Sequence, residues 1–336
     1  MNFNGIYPIF FDDLTDTKNP ENQDINYTIS TTPAAIEYSF PLNQPKVVRK
    51  LMEIKEPITY IQKAIGEEQS QLYIQQGAEL RERFPIIVHY WEFRSVYMNA
   101  IQDRRYSLEK RMLFINYMCK TAQSMIDDGN ESQVPGLVNF FFNKGDRNEI
   151  INIFGDVTPQ FEYSVVDALA LLRSMPSTKE FDEVRNTVFE RLGYKLDFSN
   201  YSGQFKNCKD KYVEMKKYFY NDYLAQGKAN SKEYMLENVM VNYIWTLCMP
   251  FADCTSDLWD NFIFFNTIFN ALKVLLTVYI DKDNGDEGFV KAVAAFDSSL
   301  RSINGAFDGR YVKTTVGIIK KRGFMTPNHM AALSLS

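Results

Sequence analysis

Apolar residues recur at helical spacing, at i, i+3, i+4 and i+7, through most of the chain. The most apolar stretch runs from Glu233 to Ile280 and predicts two successive helices, at about 231–249 and 257–280. Polar side chains interrupt both helices at the same spacing, so they lie on defined helix faces. An amide or ammonium group buried without a partner costs about one to several kcal/mol, so these groups need a structural or a functional explanation.

On the first helix, Asn238 and Asn242 lie one turn apart, on or beside the face that also carries Tyr234 and Trp245. Two amides are therefore carried into a core. On the second helix a narrow polar stripe crosses a cylinder of Phe, Ile, Leu and Val, and it must face water, a partner or a cavity. The stripe consists of Asn266, Asn270, Lys273 and Thr277.

The remaining periodicity predicts an all-α protein of about ten helices, packed irregularly rather than as a simple four-helix bundle. Residues 1–45 lack a helical period and predict an irregular amino-terminal arm. Residues 46–305 form the predicted helical domain, with a candidate hinge in the Gly, Asn and Ser-rich segment near 193–203. Residues 306–336 predict a loose carboxy-terminal tail.

The first helix of this domain begins near Lys46, and Pro57 marks a kink or a break in it. Beyond the proline, the spacing of Ile58, Ile61 and Ile65 predicts that the apolar helical face continues.

Composition and charge restrict the function classes. Hydrophobic residues make up 45% of the chain and aromatic residues 15%, which is typical of a globular protein. A net charge of −5 and scattered Lys and Arg give no basic surface for nucleic acid. The run Phe262–Ile280 approaches the length of a membrane span, but it contains Lys273 and two asparagines, so we expect a buried helix and no membrane partner. Residues 1–11 show no secretion-signal pattern, and we expect a cytoplasmic protein.

Cysteine and histidine are sparse and widely spaced. Cys119, Cys208, Cys248 and Cys254 form no Cys-x-x-Cys pair, and the chain has two histidines, so no local zinc or iron–sulfur motif is present. We therefore predict no metal site and buried free cysteines. The standard phosphate-binding, dinucleotide, serine-hydrolase and zincin motifs are also missing.

Asp12, Asp13 and Asp16 spell the D-D-x-x-D pattern with which helical prenyl-diphosphate enzymes hold magnesium, and Asp127–Glu131 is a weaker copy. Neither copy lies in a well-predicted helix interior, and the complementary metal motif of that class is missing. Solvated loops are the favoured interpretation.

The polar groups of the two apolar helices admit two interpretations. In the first interpretation, they line one small polar cavity with aromatic walls. The cavity would be formed by Glu237, Asn238, Asn242 and Tyr243 together with the stripe of the second helix. Alternatively, the asparagine pair ties helices together and the stripe faces solvent. The second interpretation is the simpler one.

Several motifs carry a resemblance to a known family: Trp91–Arg94, Arg104–Arg111, Met125–Glu131, Leu236–Ile244, Met249–Phe251 and Ala271–Leu276. In order and spacing they resemble the carboxy-terminal helical part of the flagellin lysine-N-methylase family. The resemblance covers about residues 80–305.

The resemblance implies a bacterial enzyme that moves a methyl group from S-adenosylmethionine to lysine ε-amines of flagellin. In that family a cysteine-rich amino-terminal segment holds an iron–sulfur cluster. Residues 1–45 contain no cysteine, so we do not expect the cluster in this chain. A truncated product, a half that needs a cluster-bearing partner chain and a paralogue that only binds its target are the explanations left open.

Methyl transfer needs a neutral lysine amine in line with the sulfonium methyl, hence a desolvating aromatic pocket and a proton acceptor. With this resemblance, Glu237 and Tyr243 are the predicted catalytic residues. The predicted substrate-binding residues are Asn238, Asn242, Trp245, Asn266, Asn270, Lys273, Trp91 and Arg94. The alternative function is a non-catalytic helical module that recognises a protein partner such as flagellin.

Overall fold

The computed structural model describes residues 4–32, 35–83, 89–143, 147–159, 161–194, 201–251, 257–302, 316–317 and 326–336. Within these residues the chain forms fourteen α-helices and one small four-stranded sheet. The fold is predominantly helical and its helices pack irregularly, which confirms the predicted class. The sheet is the feature that helical periodicity did not predict.

The helices are distributed along the whole described part of the chain. Two 3₁₀ turns, Pro20–Asn22 and Glu131–Gln133, and a π-helical turn, Tyr218–Tyr223, lie between them. The α-helices are α1 Phe11–Thr15, α2 Pro45–Glu53, α3 Glu67–Arg83, α4 Tyr90–Ile101, α5 Leu108–Asp127, α6 Val134–Phe142, α7 Arg147–Ile153, α8 Phe161–Ser174, α9 Lys179–Leu192, α10 Tyr201–Lys217, α11 Glu233–Thr246, α12 Leu258–Tyr279, α13 Gly285–Arg301 and α14 Pro327–Leu335.

The sheet is built by the amino-terminal residues. Its strands are β1 Asn4–Pro8, β2 Thr28–Thr31, β3 Ile36–Ser39 and β4 Tyr60–Ala64. The strand order is β2-β3-β1-β4, with β1 parallel to β3 and the other two pairs antiparallel. The prediction of an irregular arm over 1–45 is therefore wrong, as is the helical interpretation of Ile61. Strands of four or five residues pair across remote sequence, so they leave little local periodicity.

The long helix α12 occupies the centre of the helical part. It packs against α5, α8, α9, α10, α13 and α14. By length and composition it is the one described helix that could cross a membrane, but 94% of its most apolar window is buried inside the fold. Its apolar surface is thus covered by neighbouring helices, as predicted for a buried core helix.

The carboxy-terminal residues are partly ordered against this core. Helix α14 packs on α5, α8 and α12, and Met330 and Ala331 are fully buried. The prediction of a loose tail is therefore wrong for Pro327–Leu335. The candidate hinge near 193–203 lies largely outside the described residues.

Candidate functional site

Tyr60, Trp91 and Trp245 form an aromatic cluster where β4, α4 and α11 meet. The Tyr60 ring stacks on the Trp245 indole with 3.7 Å between centroids, and the Trp91 indole meets Trp245 edge-on at 6.5 Å. The Arg94 guanidinium lies over the Trp245 ring, 4.5 Å from its centroid. Trp245 is 2% exposed whereas Trp91 is 42% exposed. The cluster therefore extends from the core to the protein surface.

A buried ion pair supports the cluster from below. Arg94 donates through Nη2 to the Glu37 carboxylate and to the Tyr90 hydroxyl, and through Nη1 to the Ile244 carbonyl. Burial raises the pKa of Glu37, while Arg94 and the hydroxyls of Thr32 and Tyr90 act in the opposite direction. Both Nη atoms of Arg94 are hydrogen-bonded, so its guanidinium is held in place and orients the Trp245 indole that it covers.

The end of α11 brings a further aromatic ring to the same place. Cys248 has a left-handed backbone (φ 51°), which ends the helix, and the Met249 amide then donates back to the Ile244 carbonyl at 2.9 Å. The chain turns toward α4, where the Phe251 ring stacks on Tyr90 with 6.0 Å between centroids. The Met-Pro-Phe sequence thus packs on the residues that support Arg94.

Glu237, a predicted catalytic residue, lies in a different network. Its fully buried carboxylate accepts hydrogen bonds from Nε and Nη2 of Arg104 at 2.8–3.1 Å and from Nη1 of Arg111 at 2.6 Å. Arg111 also donates to the Ile101 carbonyl, and Arg104 donates to the Lys55 carbonyl. The carboxylate therefore joins α11 to the connection between α4 and α5. This geometry is structural, and the catalytic role of Glu237 stays an untested prediction.

Tyr243, the second predicted catalytic residue, is also fully buried and interacts with α13. Burial raises the pKa of its phenol well above the usual value, and the Asp297 carboxylate raises it further. Asp297 itself accepts from the Asn43 amide at 2.7 Å and from Arg301 Nε at 2.6 Å. At neutral pH Tyr243 is therefore a neutral core phenol.

The two asparagines of α11 bind backbone carbonyls of the amino-terminal part. Asn238 Nδ2 donates to the Leu51 and Ile54 carbonyls at 2.8 and 2.7 Å, and so caps the end of α2. Asn242 Nδ2 donates to the Phe40 carbonyl, just beyond β3, at 2.9 Å. Both amides tie α11 to neighbouring elements, as the simpler interpretation of the sequence predicts.

The polar stripe of α12 holds the carboxy-terminal helix. Asn266 Nδ2 donates to the Met330 carbonyl at 3.0 Å and its Oδ1 accepts from the Ser334 hydroxyl at 2.8 Å. Lys273, fully buried, donates to the Ser334 carbonyl at 2.8 Å. Burial lowers the pKa of Lys273 to about 7. Asn266 and Lys273 therefore face α14, and the prediction that the stripe faces solvent is wrong, because all four of its residues are buried.

Asn270 binds a third partner. Its Nδ2 donates to the Ser164 carbonyl and its Oδ1 accepts from the Ser164 hydroxyl, both at 2.9 Å, which joins α12 to α8. Among the described residues, the polar groups of α11 and those of α12 thus bind different elements. The prediction of one cavity shared by 231–249 and 257–280 is wrong, because arginines hold Glu237 and the nitrogens of the asparagines and of Lys273 donate to backbone carbonyls of other elements.

Residues 94–333 match the model of the FliB lysine N-methylase C-terminal domain. The chain belongs to this family. No curated protein and no solved structure matches the chain. The match covers all but the first part of the region from which the resemblance was inferred, and it confirms the resemblance.

The motifs that carried the resemblance pack against one another in this FliB-type domain. Arg104 and Arg111 from the second motif both bind Glu237 from the fourth, and Arg94 from the first binds the Ile244 carbonyl at the end of the fourth. These residues therefore form one interlocked network that fixes α4, α5 and α11 relative to each other.

The aromatic cluster joins the FliB-type domain to the residues before it. Three predicted substrate-binding residues, Trp91, Arg94 and Trp245, do come together there. Sequence reasoning missed Glu37, Tyr60 and Tyr90, which complete the site. Glu37 lies between Ile36 and Tyr38 in a short segment where apolar and polar residues alternate, a signal that could have indicated this strand.

Metal-binding motifs do not assemble among the described residues. Asp12 pairs with Lys63 at 2.6 Å, Asp13 pairs with Lys50 at 2.9 Å, and Asp16 accepts from the Lys18 amide. No group of three or more His, Cys, Asp or Glu side chains in the described part of the chain is arranged to hold a metal ion.

Two of the described cysteines do not fit the ligand set of an iron–sulfur cluster. Cys119 and Cys208 are buried on different helices, and burial raises the pKa of both thiols, whereas cluster ligands are thiolates. Cys254 lies outside the described residues. That the cluster is not carried by this chain stays a prediction.

Proposed function

We propose that this chain takes part in protein-lysine N-methylation, with flagellin as the protein substrate and S-adenosylmethionine as the methyl donor. Its membership of the FliB lysine N-methylase C-terminal family supports the reaction class. The observation that carries the proposal is the aromatic cluster, which rises from a buried Arg94–Glu37 pair to the exposed Trp91 ring. The proposed role of the cluster is to hold the substrate lysine.

The chemistry of lysine methylation fits aromatic walls. A lysine ammonium has no lone pair to attack a methyl group, so its proton must leave first, and desolvation lowers the pKa of the amine. Aromatic faces bind a cationic amine by cation–π attraction and also cover its alkyl stem. Trp91 and Tyr60 supply such faces, while Arg94 and Glu37 position Trp245 behind them.

S-adenosylmethionine needs a separate set of groups, since it carries an ammonium, a carboxylate and a nucleoside. A cleft of about 580 Å³ between α1 and α2 has a volume within the range of about 300–1,000 Å³ that small-molecule sites occupy. It is lined by both acidic and basic side chains, including Asp13, Glu21, Lys46 and Lys50. Their exposed ion pairs exchange with ligand charges at little cost. These residues therefore suit the amino-acid part of the donor, which when bound supplies the methyl group.

One observation favours a second function, a non-catalytic module that recognises flagellin. Glu237 is fully engaged by Arg104 and Arg111, and Tyr243 is a buried neutral phenol. Glu237 thus has structural partners, and Tyr243 is enclosed in the core. An aromatic surface that binds lysine without transferring a methyl group would use the same cluster.

The two functions are separated by incubating the purified chain with flagellin and S-adenosylmethionine labelled in its methyl group. We expect label on flagellin lysines, and we expect Trp91→Ala to lower transfer by roughly tenfold, the effect of losing about 1.4 kcal/mol of cation–π and stacking energy. Trp91→Phe should restore most of it. Phe142→Ala is the matched control, because Phe142 is 38% exposed on α6.

Each outcome decides between the functions. Flagellin that binds the chain in a Trp91-dependent way but receives no label supports the binding module. If Trp91→Ala does not change methyl transfer, the aromatic cluster does not hold the substrate lysine. If the chain neither binds flagellin nor transfers a methyl group to it, whether or not a partner chain that carries an iron–sulfur cluster is present, the proposed function is overturned.

A further inference from the structure

The outer edge of β4 lies beside the aromatic cluster. Within the described residues β4 ends the sheet on this side and pairs with β1 alone. Gln62 and Ala64 are exposed, and Tyr60, at the start of the strand, stacks on Trp245. An edge strand presents a row of backbone N–H and C=O groups that another strand can pair with.

The register shows which backbone groups point outward. Ile9 donates its amide hydrogen to the Thr59 carbonyl, so Ile9 and Thr59 are a hydrogen-bonded pair of the antiparallel ladder. Such pairs alternate with pairs that are not hydrogen-bonded, and the register pairs Tyr7 with Ile61. Residues 59, 61 and 63 therefore bond to β1. The N–H and C=O groups of residues 60, 62 and 64 point away from β1, toward the open edge.

The same alternation fixes the side chains. Tyr60, Gln62 and Ala64 share the face of the sheet that carries Tyr60 toward Trp245. A residue placed opposite Tyr60 in an added strand directs its side chain to that face, whatever the direction of the added strand. Its side chain would thus reach the aromatic cluster.

The charge around β4 identifies the occupant. The residues that flank β4 are mainly acidic, with exposed Glu56 before it and Glu67 and Glu68 after it, against Lys55. Lys63 within the strand is neutralised by Asp12. A positively charged segment is therefore favoured.

We infer that β4 is the docking edge for an extended, lysine-bearing segment of the protein substrate, which adds a fifth strand and places its lysine against the exposed Trp91 ring and Tyr60. This inference rests on the proposed function for the identity of the substrate. The added strand supplies affinity through its backbone, and the cluster selects lysine at one position. The residues next to the lysine face the opposite side, where Ile61 is exposed, so an apolar neighbour is favoured.

A pair of N-methylated peptides tests the inference. A fluorescent twelve-residue peptide with one central lysine and isoleucine neighbours is titrated with the full chain, without S-adenosylmethionine, and anisotropy is recorded. In the first peptide, every second backbone amide near the lysine carries an N-methyl group. In the second peptide, the N-methyl groups are on the amides between those positions. Strand addition uses only one set, so we expect roughly tenfold weaker binding for one peptide and little change for the other.

A variant pair provides the same test on the protein side. Gln62→Pro removes an N–H that points to the open edge and leaves the bonds to β1, whereas Gln62→Ala removes only the side chain. We expect Gln62→Pro to abolish peptide binding and Gln62→Ala to retain it, with circular dichroism confirming that both variants are folded. If Gln62→Pro fails to fold, the peptide pair still decides.

The results separate this inference from the proposed function. Equal loss in both N-methylated peptides, or no loss in either, overturns strand addition even where methyl transfer occurs. Loss in one peptide alone supports strand addition even where no methyl group is transferred, which is the binding-module outcome. If replacing the central lysine by arginine or norleucine does not weaken binding, the placement of lysine in the aromatic cluster is overturned.

Discussion

Arg111 and Glu237 form a buried ion pair, with 2.6 Å between Arg111 Nη1 and the carboxylate and at most 3% of either side chain exposed. The two residues lie 126 positions apart in the sequence and belong to two of the motifs that carry the family resemblance. A buried charge that loses its partner costs about 3–5 kcal/mol, so Glu237→Leu should destabilise the fold by that amount. Urea denaturation measures the change in the free energy of unfolding.

The double variant Glu237→Leu/Arg111→Met is the control. Because it removes both buried charges, it should recover a large part of the lost stability, although Arg104, with 34% of its side chain exposed, still loses its partner. A Glu237→Leu variant as stable as the wild type but unable to transfer methyl groups would instead restore the catalytic assignment of Glu237.

Asn238 gives a second stability prediction. Its Nδ2 caps two carbonyls at the end of α2, so Asn238→Ala leaves both without this donor and should cost about 1–3 kcal/mol. Hydrogen exchange should show the loss first in α2. Asn99→Ala is the matched control, because Asn99 is exposed and donates only within its own helix, to the Ser95 carbonyl. Equal effects of the two variants would contradict the capping role.

The long core helices, such as α5, α11 and α12, were predictable because each presents apolar residues at helical spacing over more than ten residues. The full burial of α11 and α12 follows from their nearly continuous apolar sequence. The sheet was not predictable from that signal. Ile58, Ile61 and Ile65 have helical spacing by coincidence, and β4 forms because Tyr60–Ala64 pairs with Asn4–Pro8, more than fifty residues earlier.

The candidate site was predictable only in part, for a related reason. Sequence shows that Asn238, Asn242 and Lys273 enter a core, but the identity of their partners depends on tertiary packing. Each proved to bind a backbone carbonyl, which has no residue signature. Trp91 and Trp245 were predicted as site residues, yet the contact between Trp245 and Tyr60 depends on a strand that the periodicity did not reveal.

The three tryptophans allow the cluster to be tested by fluorescence. Trp91 is 42% exposed, whereas Trp245 and Trp259 are 2% and 4% exposed. Acrylamide should therefore quench mainly Trp91, and Trp91→Phe should remove most of the quenchable emission. A bound lysine peptide should protect the wild-type emission. Strong quenching that persists in Trp91→Phe would show that Trp245 or Trp259 is accessible, contrary to this fold.

Lys273 predicts how stability depends on pH. It is fully buried, and burial lowers its pKa from 10.5 to about 7, with Lys216 adding to the effect and Glu109 opposing it. Below pH 7 both folded and unfolded chains hold the proton, and the folded chain bears the whole cost of a buried ammonium. Between pH 7 and about 10.5 the folded chain releases a proton that the unfolded chain keeps, so the contribution of Lys273 to stability becomes more favourable as pH rises.

Lys273→Met removes the ammonium and keeps an unbranched side chain. We expect it to stabilise the fold relative to the wild type at pH 6 and to lose that advantage by pH 10, where the wild-type amine is neutral and donates to the Ser334 carbonyl. Urea denaturation at both pH values gives the difference. Lys217→Met, at an exposed position on α10, should show no such pH dependence. An advantage of Lys273→Met that is equal at pH 6 and pH 10 would mean that the ammonium keeps its charge in the folded state, through solvent or the Glu109 carboxylate.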